Sequence, residues 1–561
     1  MKYFINVCCL IVALFLSEIS SAQYTHQDSL RGSITPERAW WNVLRYDISV
    51  IPDYNNKTIA GQTAILFQVL KAGHTLQIDL QEPLVIDSFL FTVHSAAKDK
   101  TWDPSKDKTN PVKNGNTWIF DLPVGLTVNS KNSLLIYYHG KPREAINPPW
   151  DGGWIWSKDE KGRPWMTVAC QGLGASAWYP CKDHQSDEPD NGASLTITVA
   201  DSLVAVGNGR LAEKKENDNG TISWKWQVQS PINNYTIIPY IGKYVNWHEN
   251  YAGEKGKLDC DYWVLDYDLE KSKKQFGRDV KLMLTCFEEW FGPYPFYEDG
   301  YKLVESSHLG MEHQSAVAYG NKFLDGYLGM DLSGTGWGKK WDYIIVHESG
   351  HEWFANNITT NDIADMWVHE GFTNYAEVLF VECQDGKKAA DEYCQGIRNN
   401  IENERPIIGD YSVNKEGSGD MYAKGANLIH TIRQVINDDI AFKKILRGLN
   451  KDFYHKTVNT KDIENYITRQ SGKNLSKIFD QYLRTKQVPQ LEYKIKGFSF
   501  SYRWQNCIKG FNMPVRIFSG GNEKWINPKE EWQTQKMADW FNVQSFSVDK
   551  NFYITSKKIN N

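Results

Sequence analysis

Long hydrophobic runs are missing from this 561-residue sequence. None reaches the ~20 apolar residues that a membrane-spanning helix needs, so a stable transmembrane segment is not expected. Cysteine is sparse, at nine residues. Cys8 and Cys9 lie in the N-terminal apolar stretch, and Cys170, Cys181, Cys260, Cys286, Cys383, Cys394 and Cys507 are scattered without C-x-x-C spacing. That excludes a thiolate metal site, and an odd, sparse set is not a disulfide framework on which a fold would depend. Blocks of Lys or Arg are absent and the formal charge is only −5, so neither nucleic acid nor an anionic membrane is an implied partner. There is also no internal repeat and no low-complexity tract.

What is present is ample core material, with 41% apolar and 13% aromatic residues in a chain too long for one hydrophobic core. Residues 1–22 read as a cleavable export signal: Lys2, the apolar run Phe4 to Leu16, then Ser20, Ser21 and Ala22. The protein is therefore expected in the periplasm or outside the cell. From about residue 40 to 245, short alternating runs such as "HTLQIDL" and "SLTITVA" predict a β-rich domain, assigned to 23–250. Helical periodicity then takes over in "DYDLEKSKKQFGRDVKLMLTCFEEWFG", "WGKKWDYIIVHESGHEWFANN" and "MWVHEGFTNYAEVLFVEC", predicting a mostly helical domain over 251–489. Alternation returns in "LEYKIKGFSFSYRW", predicting a small β module over 490–561.

The stretch "VHESGHEWFANN" places His347 and His351 four residues apart. On a helix such residues share a face with Cβ atoms roughly 5–6 Å apart. Both imidazoles could then reach one zinc ion at ~2.0–2.1 Å. Glu348 sits one residue round the helix, outside the ligand set but within reach of an attacking water, where a general base belongs. Chance alone yields H-E-x-x-H in about one chain of this size in 60. A catalytic site wants a third ligand and an open position. "MWVHEGFTNYAE" supplies Glu370 after the eighteen residues 352 to 369. That second requirement lowers the chance odds to about one in 1,000. Glu377, seven residues further along the same helical face, could orient a ligand imidazole. Glu352 gains no role from the sequence.

This pattern, H-E-x-x-H, eighteen residues, then Glu, resembles the gluzincin zinc aminopeptidases, the family of aminopeptidase N and leukotriene hydrolase. The resemblance implies one Zn2+ held by His347, His351 and Glu370, with Glu348 activating the water. "LGMEHQSAV" resembles the family's G-x-M-E-N exopeptidase motif. That likeness implies substrate contacts from Gly310 and Met311 and a carboxylate, Glu312, for the substrate's free α-amine. A fixed anion beside the site rewards a protonated N-terminus, which favours exopeptidase cleavage. "MYAKGANL" resembles the Y-x-K-G segment and implies Tyr422 as donor to the tetrahedral oxyanion. "ACQGLGASAWYPCKD" resembles the segment whose glutamine, here Gln171, lines the first side-chain pocket.

The resemblance spans roughly residues 40 to 510. It implies a multidomain α+β chain: an N-terminal β-saddle domain, a thermolysin-like, mostly helical zinc catalytic domain and a small C-terminal β-sandwich. Many relatives add a large helical domain, which the strand-like residues after Pro489 do not resemble. Three positions depart from the pattern: Leu309 for the first glycine, His313 for the asparagine of the motif, and His369 for the asparagine before the third ligand. None removes a ligand, base or amine anchor; His313 and His369 read as packed, hydrogen-bonded histidines rather than further donors near the substrate, and His308 reads as structural. The implied function is a zinc-dependent aminopeptidase acting on peptides with a free N-terminus. The alternatives are a thermolysin-type zinc endopeptidase, which has no need of the Glu312 and Tyr422 segments, and a non-catalytic peptide-binding protein that kept the fold.

Overall fold

The structure is a computed structural model, and it describes residues 24–94, 99–103, 111–122, 126–536 and 541–560. The expected export signal lies outside the described residues. The N-terminal part is built on an eight-stranded sheet whose central strands are Ala193–Ala200, Trp41–Asp53, Thr58–Val69 and Lys131–Gly140. Trp41–Asp53 pairs parallel with Ala193–Ala200 and antiparallel with Thr58–Val69. The alternation in the sequence becomes alternation of burial: Leu195, Ile197 and Val199 point inward from their strand while Thr196 and Thr198 do not. A four-stranded and a three-stranded sheet complete a core around Trp41, Tyr46, Phe67, Trp154 and Trp178. The three-stranded sheet contains the "HTLQIDL" strand, Thr75–Asp79, which is buried on both faces, and its Asp79 pairs with the fully buried Arg38 at 2.5 Å.

A five-stranded sheet opens the second core, in the order Tyr244–Gly253, Gly256–Leu265, Tyr301–Glu305, Val317–Tyr319, Gly310–Met311. The first of these strands runs across the expected division at 250/251. The last is a two-residue edge strand, and it carries Gly310 and Met311, near the start of "LGMEHQSAV", to the sheet margin.

Helices follow. We number the described α-helices α1 His26–Gly32, α2 Leu269–Phe291, α3 Tyr343–Gly350, α4 Trp367–Asp385, α5 Lys387–Gly396, α6 Ala423–Ile436, α7 Asp439–Asp452, α8 Thr460–Ser471 and α9 Ser476–Arg484. Helix α2 is amphipathic, burying Phe276, Val280, Met283, Leu284, Phe287 and Trp290 at helical spacing. Helix α4 is buried all round from Trp367 to Val381, as expected of an element at the centre of a core. The C-terminal residues form a four-stranded and a three-stranded sheet enclosing Leu491, Phe500, Trp504, Val515 and Ile517, and this core is continuous with the helical one. Among the described residues no helix is long and apolar enough to cross a membrane.

The sequence predicted no disulfide framework, and among the described residues there is one bridge, Cys286–Cys383, with Cα atoms 6.0 Å apart. It ties α2 to the C-terminal turn of α4 across 97 residues of chain. A crosslink over so long a loop removes unfolded-state entropy worth about 2–4 kcal/mol. Replacing both cysteines with serine is therefore expected to lower the calorimetric Tm by roughly 5 °C. An unchanged Tm would show that the bridge does not stabilise the protein.

Candidate active site

Asp342 starts α3 by accepting hydrogen bonds from the amides of Ile344 and Ile345, a side-chain cap on an otherwise buried helix. His347 and Glu348 lie in its last turn, and His351 closes it. The helical periodicity predicted through Asn357 breaks here. Phe354 leaves helical geometry, and Ala355 takes φ = 145°, a strained value for a residue with a Cβ. The kink frees the Phe354 carbonyl, which accepts from His351 Nδ1 at 3.0 Å and so turns Nε2 of that ring towards the cleft.

Helix α4 delivers Glu370 opposite. His347 Nε2 and His351 Nε2 lie 3.7 and 3.3 Å from Glu370 Oε2. The ligand atoms of the three residues all fall within 4.8 Å of one another. Glu370 Oε2 is buried without a hydrogen-bond partner. Two imidazoles and an unpartnered buried carboxylate oxygen converging on one point are a donor set that a divalent cation fits. Burial opposes charge on both His347 and Glu370. Even so, the nearby carboxylates of Glu370 and Glu377 hold His347 well above its usual pKa, and the two histidines hold Glu370 below the carboxylate range. Positive charge beside Glu370 thus favours its ionised form.

Glu377, which the sequence placed on the same face, is buried behind His347. It accepts from His347 Nδ1 at 2.6 Å, from Asn374 Nδ2 at 2.8 Å and from the Tyr393 hydroxyl at 2.7 Å. This network fixes the ring that presents Nε2. Glu352, without a role in the sequence, is buried. Its carboxylate accepts from the Ser315 amide at 2.9 Å and the Tyr294 hydroxyl at 3.0 Å, tying the segment after Glu312 to the metal helix. Burial pushes it up to about 8. Nothing in the sequence around Glu352 signals that contact, because its partners are 37 and 58 residues away.

Glu348 is buried, and burial with Glu312 and Glu370 nearby pushes its carboxyl up to about 7 despite the opposing histidines. Glu312, Glu348 and His351 also present oxygens and a nitrogen within 4.8 Å of one another. Glu312 Oε1 accepts from Gln171 Nε2 at 2.5 Å and the Tyr235 hydroxyl at 2.7 Å, both from the N-terminal part. Gly310 is required by space: a Cβ there would stand 2.6 Å from Glu348 Oε1 and 2.9 Å from Ile344 Cγ2. Met311 lines the cleft beside it.

Tyr422 stands at the start of α6, its ring stacked on His347 with centroids 6.0 Å apart. Burial and Glu370 raise its pKa well above the usual value, so the phenol keeps its proton for donation. Helices α4 and α6 touch at Gly371 and Gly425, where a Cβ on Gly425 would meet Gly371 Cα at 2.8 Å. That contact sets Tyr422 beside Glu370, and it accounts for the glycine of "MYAKGANL".

All nine site residues predicted from sequence line one cleft of about 620 Å3. Trp150, Tyr327, Met366 and Glu416 also line it, and periodicity could not have found them because most sit in irregular segments. The departures His313 and His369 are packed as expected. His313 Nδ1 meets the Tyr240 hydroxyl at 2.5 Å, and His369 Nε2 accepts from the Thr360 amide at 2.9 Å. His308 is buried too, in keeping with the structural part read for it. Glu377→Gln is expected to weaken divalent-metal binding by about tenfold in a chelator competition. Unaltered affinity would remove Glu377 from the support of His347.

Two family descriptions match the chain: the peptidase family M1 domain over residues 276–482 and the peptidase M1 N-terminal domain over 42–236. The chain is 24% identical to aminopeptidase M1 of Arabidopsis thaliana over 86% of its own length and 55% of that protein. It is 27% identical to aminopeptidase N of Lactococcus lactis over 56% and 38%, and 22% identical to leukotriene A-4 hydrolase of Xenopus laevis over 77% and 68%. The chain thus spans about half the length of most curated relatives named here. In fold it is similar to an M1 zinc metallopeptidase variant from Deinococcus radiodurans solved with a Tyr-Ser-Ala substrate. The TM-score is 0.65 at 18% identity, covering 81% of this chain and 96% of that one. A two-domain M1 zinc metallopeptidase bound to L-tryptophan superposes with a TM-score of 0.66 at 19% identity, covering 80% and 96%. With two matched domains in the family's order, and the donor set on the helices of the second, the chain belongs to peptidase family M1, the gluzincin aminopeptidases.

Proposed function

We propose that the protein is a zinc-dependent aminopeptidase that releases N-terminal residues from peptides, with His347, His351 and Glu370 holding one Zn2+. The observation that carries this reading is Glu312. It is a buried carboxylate in the same cleft as the metal ligands, held by Gln171 and Tyr235, with an oxygen within 4.8 Å of Glu348 and His351. An anion fixed there pairs with a protonated α-amine and sets the scissile bond one residue away. When bound, the zinc supplies Lewis-acid polarisation of the carbonyl and the water. Glu348 takes the proton of the attacking water and returns it to the leaving amine. Tyr422 donates to the oxyanion that develops on the scissile carbonyl. Gly310 leaves room for Glu348 to do so.

Glu348→Gln should retain stoichiometric zinc by elemental analysis yet lose at least about a hundredfold in kcat on an unblocked chromogenic amino-acid amide. Full activity in that variant would sink the mechanism. N-acetylation of the substrate is expected to abolish cleavage, because it removes the charge that Glu312 pairs with. Cleavage of the acetylated peptide at an internal bond would favour the endopeptidase reading.

We further propose that the mature chain begins after Ala22 and works in the periplasm or outside the cell. The apolar run Phe4 to Leu16 and the Cys286–Cys383 bridge, a bond that persists in oxidising compartments, support this. Mass spectrometry of the intact protein from its native cells would show Gln23 as the first residue. A retained Met1 would overturn the proposal. The division into parts at about 250 and 489 is proposed on the same footing, from the change of sequence texture at those positions.

A further inference from the structure

Helix α1, outside both matched family segments, touches two parts of the molecule at once. Thr25 and Asp28 cap it reciprocally, and the buried Arg38 donates to the carbonyls of Leu30, Arg31 and Ser33 at 2.9, 2.9 and 3.0 Å, fixing its C-terminal end. Gln27 Nε2 reaches the Asn114 carbonyl at 3.3 Å. Arg31 Nη1 donates to the Gly172 carbonyl at 2.5 Å, and Arg31 Nε lies 3.3 Å from Asp183. All of these partners belong to the N-terminal part.

The opposite side of α1 meets the irregular segment that leads to Tyr422. The Asn414 amide donates to the Asp28 carbonyl at 3.0 Å, and the Tyr24 hydroxyl bonds to Asp410. At Gly32 the two backbones approach so closely that a Cβ would stand 2.2 Å from the Val413 carbonyl carbon and 2.4 Å from the Asn414 nitrogen. Asn414 Nδ2 in turn donates to the Gly172 carbonyl at 2.9 Å, the same oxygen that Arg31 holds. The root of this segment has its own anchors on the catalytic part, such as Ser412 on Asp362 and Tyr411 on Asp365. Its tip, residues 413–416, does not. Among the described residues, Asn414 makes its hydrogen bonds outside the segment to α1 and Gly172. Asn414, Lys415 and Glu416 line the cleft next to Gln171, Gly172 and Leu173.

We propose that α1 is a positioning strap for the substrate cleft: Asp28, Arg31 and Gly32 clamp the 413–416 tip against the Gln171–Gly172 turn and so fix the wall that faces the peptide. The inference rests on the aminopeptidase reading for its kinetic consequence but not for its structural one. The groups that do the chemistry stand on α3, α4 and the start of α6, whose mutual packing does not involve α1. Loss of the strap therefore weakens peptide binding and leaves the chemical step in place.

The test uses the full chain with Gly32→Ala, whose Cβ has no room against the 413–414 backbone, and Arg31→Ala as a milder second variant. Hydrogen exchange measured by mass spectrometry is expected to speed up by about tenfold at amides in 410–418, with peptides from 343–385 unchanged. On a tripeptide substrate, KM is expected to rise by about tenfold and kcat to stay within about threefold, with zinc content unaltered. Unchanged exchange at 410–418 in folded Gly32→Ala and Arg31→Ala proteins overturns the strap. So does a fall in kcat at constant KM. If the parent protein cleaves no peptide, the exchange result still decides the strap, and only the aminopeptidase reading fails.

Discussion

The carboxylate of Glu370 is buried between two imidazoles with one oxygen unpartnered, and most of the catalytic part is arranged to make that burial tolerable. An isolated buried charge costs several kcal/mol and would normally be neutralised by protonation. Here His347 and His351 face it, and a divalent cation in the same place would satisfy all three at once. Glu312, Glu348 and Glu377 add further buried carboxylates within the same few residues of space. Each has to be held by donors or by the cation's field. That is why Tyr235, Gln171, Tyr393 and Asn374 all point their polar atoms inward.

Satisfying those charges demands close approach, and close approach is where glycine enters the argument. Gly310 lets the edge strand pass Glu348, and the Gly371–Gly425 contact lets α6 settle onto α4 so that Tyr422 reaches the ligands. A methyl group on Gly425 would force apart the backbones of α4 and α6, and one on Gly310 would displace the Glu348 and Ile344 side chains, each at a cost of about 1–3 kcal/mol. The strained Ala355 belongs to the same economy of space. Its φ of 145° ends the helix early enough for the Phe354 carbonyl to turn back onto His351.

Much of this was legible in the sequence because it is local. The His347–His351 spacing is one helical turn, Glu377 is two turns beyond Glu370, and the alternation of "SLTITVA" is that of a half-buried strand. What was not legible depends on approach between distant segments. Glu352 looked idle because its partners, Ser315 and Tyr294, are reached only through the fold. The two-sided burial of Thr75–Asp79 was invisible to an alternation rule that expects one polar face. The helical period carried through Asn357 failed at Phe354, where a side-chain hydrogen bond outweighs propensity.

The lining of the cleft is divided between the two parts of the chain in a way that the proposed reacting groups are not. The groups proposed as ligands, base and phenol come from helices packed in one core. Glu312, the amine anchor proposed above, also stands on that part, but its orientation is set by Gln171 and Tyr235 from the other. The facing walls, Trp150 with Gln171 to Leu173 on one side and Asn414 to Glu416 on the other, meet only because the parts are docked. The shape of the cleft is therefore a property of the docking geometry, which depends on approach between irregular segments. That is why a single sequence could point to candidate reacting groups and leave the preferred residue unnamed.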